Sequence, residues 1–186
     1  MPTPTENHGD RRPLALILLA ATIVVASAGL GAAVNSVNGA VSPLYFRQVL
    51  GWDDVSDVWR ASIAQGIFEG LLFGLAFSLI FTLVVGLVSK VRYPYGHGLA
   101  YVLGIAACAA ACWAVGGLTA IALASLSPEF FRHTFHHVPE ATGDMLRYAW
   151  VGGSIWGVEI GGFASVIFGS VVFWAKWRQG ERRKPA

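Results

Sequence analysis

The sequence predicts an all-α membrane protein: four transmembrane helices built as a tandem repeat of two two-helix units, each with a short interfacial helix on the outer side. Three observations carry this. Of 186 residues, 55% are hydrophobic and only 13% charged, about half the charged fraction of an ordinary soluble domain. Four apolar stretches, residues 13–34, 61–88, 99–123 and 148–174, each supply the ~20 helical residues that a hydrocarbon core requires. The second half also repeats the first.

The four stretches are helices because backbone polar groups in lipid must be satisfied within the segment, and the alternation of a barrel strand is absent. Arg11 and Arg12 precede the first helix, Lys90 and Arg92 separate the second from the third, and Lys176, Arg178, Arg182, Arg183 and Lys184 follow the fourth. Basic residues mark cytoplasmic ends, so both termini are expected in the cytoplasm, with the chain in the cytoplasmic or inner membrane if the cell is bacterial. Trp52, Trp59, Tyr148, Trp150, Trp174 and Trp177 cluster near helix ends, as interfacial aromatics do. The first stretch, with Arg11, Arg12 and Ala26-Ser27-Ala28, also fits a cleavable signal peptide. The repeat argues for its retention, because it pairs the first helix with the third.

The repeat emerges when the halves are laid on one another. One register matches Ser42-Pro43 to Ser127-Pro128, Tyr45-Phe46-Arg47 to Phe130-Phe131-Arg132, and Gly31 to Gly116. After a two-residue insertion, Asp57, Arg60, Gly66, Gly70, Gly74 and Ser78 match Asp144, Arg147, Gly153, Gly157, Gly161 and Ser165. Apolar matches come cheaply, whereas charged and glycine matches do not. The basic residues outside the cytoplasmic clusters, Arg47, Arg60, Arg132 and Arg147, fall into two equivalent pairs. A unit with an even number of helices repeats in one orientation, about an axis along the membrane normal. The expected division is a tail at 1–12, a first unit at 13–90, a loop at 91–98, a second unit at 99–177 and a basic tail at 178–186.

Within each unit, Ser42-Pro43 and Ser127-Pro128 have the chemistry of a helix cap followed by proline in the first turn, predicting interfacial helices over 44–50 and 129–137. Gly51 and Pro139 then end them. Asp57 and Arg60, like Asp144 and Arg147, stand one turn apart at the start of a descending helix, as a local ion pair or an outer charged rim. Gly66, Gly70 and Gly74, and Gly153, Gly157 and Gly161, give small residues every fourth position, a pattern that permits close helix packing in lipid. These two stripes are expected to meet each other or another subunit.

Glu69 and Glu159 are the costly residues, two to three turns inside their helices from the outer side, with Gln65 one turn above Glu69. They read as satisfied structural carboxyls, contacts to a partner helix, or an ion or proton path. They are not repeat-equivalent: Glu69 aligns with Trp156, and Glu159 with Leu72. His133, His136, His137 and Glu140 have a spacing that brings two imidazoles and a carboxylate to one face of a short helix, which suits zinc or copper. The same residues read as pH-responsive surface histidines or, with Phe130, Phe131 and Phe135 beside them, as plain interfacial packing. Cys108 and Cys112 share a helix face and read as small packing residues rather than a redox or metal pair.

No nucleophile elbow, phosphate loop or zinc-protease motif is present, and no haem pair can form across the helices, because His97 lies at an inner helix end and the other membrane stretches have no histidine. The basic residues form no stripe, which excludes nucleic acid. No cofactor is expected. The leading expectation is a non-enzymatic membrane subunit or scaffold, a homo-oligomer or bound to a membrane-protein partner through glycine-rich faces. The alternatives are a small ion, proton or solute transporter or channel using Glu69 and Glu159, and a metal-binding membrane enzyme.

Overall fold

The computed structural model describes residues 13–182, all of its regular structure helical: α1 (Pro13–Val41), α2 (Pro43–Leu50), α3 (Val58–Ser89), α4 (Tyr95–Leu126), α5 (Pro128–Thr134) and α6 (Thr142–Arg182). The tail at 1–12 and the last four residues, with Arg11, Arg12, Arg183 and Lys184, lie outside the described residues. Four helices, α1, α3, α4 and α6, are long and apolar enough to cross a membrane, which makes the chain a multi-pass membrane protein.

Each long helix outruns its apolar stretch. α1 continues through Asn35, Ser36 and Asn38, and α6 starts at Thr142 and runs on to Arg182, so residues 178–182 of the expected tail are helical. The polar ends continue the helix because its ladder satisfies every backbone group it includes. The short helices obey their caps unequally. Ser42 Oγ accepts from the Tyr45 backbone N–H at 3.3 Å, and Gly51 closes α2 at φ +67°, where a side chain would be strained. Ser127 makes no such bond, and α5 ends at Thr134, three residues short of the expected 137, with Phe135 extended. Asp57 caps α3, its Oδ1 accepting from the Arg60 N–H at 3.0 Å.

The long helices pack as two hairpins, α1 with α3 and α4 with α6. Glycine sets both contacts. A Cβ on Gly31 would strike the backbone of Gly66 and crowd Gly70, and one on Gly116 would strike Gly153 and crowd Gly157. Gly70 lies on Ser27 and Ala28, Gly74 on Val24, and Gly161 on Cys112. The glycine stripes of α3 and α6 thus face the partner helix of their own hairpin, which corrects the expectation that they meet each other. The reason is that α1 and α4 also carry small residues at the crossing, so backbones approach most closely there. Between α3 and α6 the contact is aromatic instead: the Phe163 ring stands edge-on to Phe73 and Phe77, with centroids 5.7 and 5.0 Å apart.

At the end of the bundle near the α3–α4 loop, Leu19, Phe81, Val85, Tyr93, Val102, Val166 and Phe173 bury one another across all four long helices. Tyr93, Tyr101, Phe173 and Trp177 contact ring to ring there. At the opposite end, Phe46 of α2 stacks on Trp52 and is buried with Val58 and Val151, which ties α2 to α3 and α6.

Candidate functional site

Glu69 and Glu159, on different hairpins and not matched by the repeat, line one cavity of about 70 Å³ together with Ser27, Leu30, Gly31, Val34, Asn35, Gly66, Gly70, Phe73, Ile155 and Val158. Both glutamates are half-buried. Gln65 Nε2 donates to Glu69 Oε1 at 2.8 Å, along the i, i+4 face on which the sequence places it, and Asn35 Nδ2 donates to Glu69 Oε2 at 3.4 Å from across the hairpin. The cavity is large enough for a water or two, and its polar walls suit them. Glu69 lies about three turns below the start of α3, as expected. Glu159 lies deeper, almost five turns (~25 Å) below the start of α6, because that helix begins at Thr142 rather than near Tyr148.

Asn38, fully buried, is the polar residue that hydropathy alone passes over. Its Oδ1 accepts from Ser154 Oγ at 3.0 Å and from Trp113 Nε1 at 3.4 Å, joining α1 to α6 and α4. In α1–α3, Ser62 Oγ donates to the Asn35 carbonyl at 2.9 Å. The signal for both asparagines was in the sequence as Asn35-x-x-Asn38, directly after an apolar stretch. A stretch taken to end at Val34 leaves them in a loop, where polar residues need no explanation.

The charges at the α2–α5 end separate into two kinds. Arg60 pairs with Asp57 at 3.2 Å and Arg147 with Asp144 at 3.9 Å, all on exposed side chains. Arg47 instead donates to the carbonyls of Trp52, Asp53 and Val55, and Arg132 to the carbonyl of Glu140, each arginine folding back on the loop that follows its short helix. These two cations therefore serve loop closure rather than a charged rim.

His133, His136, His137 and Glu140 do not form a metal centre: among the described residues no group of three or more histidine, cysteine, aspartate or glutamate side chains could hold an ion. The expected spacing required a continuing helix, but α5 stops at Thr134 and His137 sits at φ +57°. Cys108 and Cys112 are free thiols, and Cys112 packs on Gly161.

A much larger concavity than the glutamate cavity was not legible in the sequence. A trough of about 970 Å³ runs along the α4–α6 hairpin, lined on α4 by Cys112, Val115, Gly116, Thr119, Ala120 and Leu123, and on α6 by Tyr148, Ala149, Gly152, Gly153, Trp156, Gly157, Ile160 and Gly161. Tyr45, Gln48, Val49, Phe131, Phe135, His136 and His137 close its α2–α5 end. A second hollow of about 540 Å³ shares Cys112 and Gly161 with it and reaches Lys176. The Tyr45 ring packs on Gly152 and stands 4.9 Å from the Tyr148 ring. Burial, then Tyr148 and the carboxylates of Glu159 and Glu69, push the Tyr45 phenol up to about 12.

Compared with known proteins, the chain matches no family model, no curated protein and no solved structure.

Proposed function

We propose that this chain is a non-enzymatic membrane subunit, built from two copies of one helical hairpin, that associates with another membrane component through the α4–α6 trough. The duplication is supported by like geometry at matched positions. Gly31 meets Gly66 and Gly70 as Gly116 meets Gly153 and Gly157, and Arg47 and Arg132 each tie down the following loop. In this reading α2 and α5 lie at the outer interface and both termini in the cytoplasm, on the charge bias of the loops.

The observation that carries the association is the trough itself. It is floored by glycine, walled by apolar side chains and open along a hairpin that is long enough to cross a bilayer. A groove floored by glycine lets another helix approach closely, which is the packing that holds helices together in lipid. The sequence expectation is thereby relocated. The stripes on α3 and α6 are both consumed within their own hairpins and α6 fills the α1–α3 groove, so association falls to the α4–α6 groove, which the other described helices leave uncovered. Purified protein in proton-loaded liposomes tests the non-transport half of the proposal: the expected leak equals that of empty liposomes, and a protein-dependent flux abolished by Glu69→Gln or Glu159→Gln would refute it.

A transport reading is favoured by one observation, the convergence of Glu69 and Glu159 on a single cavity. Against it, the aromatic cluster of Phe81, Tyr93, Tyr101 and Phe173 fills the bundle between that cavity and the α3–α4 end. The flux measurement decides between the two readings.

A further inference from the structure

The glutamate cavity and the α4–α6 trough are the same surface seen twice. Each α1 residue of the small glutamate cavity has its repeat counterpart in the large trough: Ser27 in Cys112, Leu30 in Val115, Gly31 in Gly116, Val34 in Thr119 and Asn35 in Ala120. So has each α3 residue: Gly66, Glu69, Gly70 and Phe73 correspond to Gly153, Trp156, Gly157 and Ile160. The first hairpin's cavity is small because α6 fills it, presenting Ile155, Val158 and Glu159, with Gly162 against Phe77. The second hairpin's trough is large because none of the described helices lies there.

The helix that corresponds to α6 is α3. Its counterparts of Ile155, Val158, Glu159 and Gly162 are Phe68, Leu71, Leu72 and Leu75, and these form an uncovered ridge, 58%, 40%, 53% and 59% exposed. The chemistry changes together on both sides. Where the trough carries Asn35 and Glu69, the ridge that fills it carries Glu159; where the trough carries Ala120 and Trp156, the corresponding ridge carries Leu72.

We propose that the α3 ridge of a second copy of this chain occupies the α4–α6 trough, repeating between copies the contact that α6 makes with the α1–α3 hairpin within one. This rests on the duplication and the trough-mediated association proposed above, and it names the partner. Trough and ridge are different surfaces, so the contact is heterologous, and it joins copies head to tail into a ring or an array. Apolar packing drives such an association in lipid through close fit rather than through water exclusion, and a glycine floor under a leucine ridge provides that fit.

The test is residue-resolved cross-linking in native membranes, in a Cys108→Ala/Cys112→Ala background. The intramolecular contact of Phe77 with Gly162 corresponds to Ala164 against Leu75 of a second copy. Two differently tagged chains, one carrying Ala164→Cys and the other Leu75→Cys, are co-expressed and treated with a short bis-thiosulfonate linker. The expected result is a mixed-tag dimer that is absent when Leu103→Cys, on the exposed lipid side of α4, replaces Ala164→Cys. Leu72→Glu, at an exposed site that the fold does not need, should abolish the dimer while leaving a monodisperse monomer in detergent.

Within one chain, Phe77→Cys with Gly162→Cys should link under the same conditions. If that internal pair links and the mixed pair does not, the association between copies is overturned while the hairpin arrangement stands. If the internal pair also fails, the hairpin arrangement and the duplication fall with the proposal. Native mass spectrometry that finds only monomers, with a lipid or a foreign helix held in a way that Val115→Trp abolishes, would keep the trough as the association face and refute the second copy as its occupant.

Discussion

In the α1–α3 hairpin the face between the helices carries Asn35 and Glu69 and lies under α6; in the α4–α6 hairpin the matching face carries Ala120 and Trp156 and is left uncovered by the other described helices. The two hairpins close on the same glycine contact and differ in what that closure displays. Polar residues sit where another helix covers them, which is where a carboxylate in a membrane can find donors. Apolar residues sit where nothing in the chain covers them, which is what lipid or a partner helix tolerates. Asn38 and its counterpart Leu123 repeat the lesson: Asn38 is fully buried and bonded to Ser154 and Trp113, while Leu123 is exposed.

The strongest way to break the comparison is to attack what the hairpins share. Gly66→Leu and Gly153→Leu each place a side chain into the backbone of the facing glycine, Gly31 or Gly116. Neither crossing has a flexible side chain that can yield, so each variant should lose at least the ~1–3 kcal/mol typical of overpacking. Thermal unfolding in detergent, followed by size-exclusion chromatography, measures this. Equal losses support two like hairpins. A tolerated Gly153→Leu beside an unfolded Gly66→Leu would mean that the second hairpin is held by something other than its glycine crossing.

How much of this was legible in the sequence follows the same division. The hairpins were, because length, apolarity and small-residue spacing are local properties, and Gly31, Gly66, Gly116 and Gly153 announce themselves by spacing. Which surface each glycine stripe faces was not, because a period of four places residues on a face without saying what lies opposite. Glu69 and Glu159 were visible as expensive residues. Their convergence was not, because the repeat pairs them with Trp156 and Leu72 rather than with each other. The histidine spacing misled for a local reason. Ser127 fails to cap α5 as Ser42 caps α2, α5 ends early, and His136 and His137 leave the helical register.

A smaller effect sharpens the contrast between the two short helices, α2 and α5. Tyr45 of α2 is half-buried with its ring on Gly152 and holds its proton up to about 12, against about 10 for an unperturbed phenol; its counterpart on α5 is Phe130, which cannot titrate. The folded state therefore binds more protons than the unfolded chain between these values, and stability falls as pH rises from about 10 to 12. Tyr93, also pushed up to about 12 by burial and then by Tyr101, adds a similar loss. Tyr45→Phe should flatten part of the alkaline decline in denaturation midpoint, leaving the share due to Tyr93. An unchanged decline would show that the α2 end is wetted and that Tyr45 is not sealed against α6.

The least effect is expected where the hairpins look most alike. Asp57–Arg60 and Asp144–Arg147 have the same spacing and place in the repeat, and all four residues are exposed, so neither ion pair should contribute more than a few tenths of a kcal/mol. Their capping differs. Asp57 precedes α3 and accepts the Arg60 backbone N–H, whereas α6 begins at Thr142, so Asp144 stands inside the first turn and acts on the helix dipole alone. Asp57→Ala should therefore cost about 1 kcal/mol, the usual value of a lost cap, and Asp144→Ala less than half of that. Arg60→Gln, which leaves the cap and removes the charge partner, separates the two contributions. A loss as large as that of Asp57→Ala would assign the effect to the ion pair, and the two hairpin entrances would then be equivalent after all.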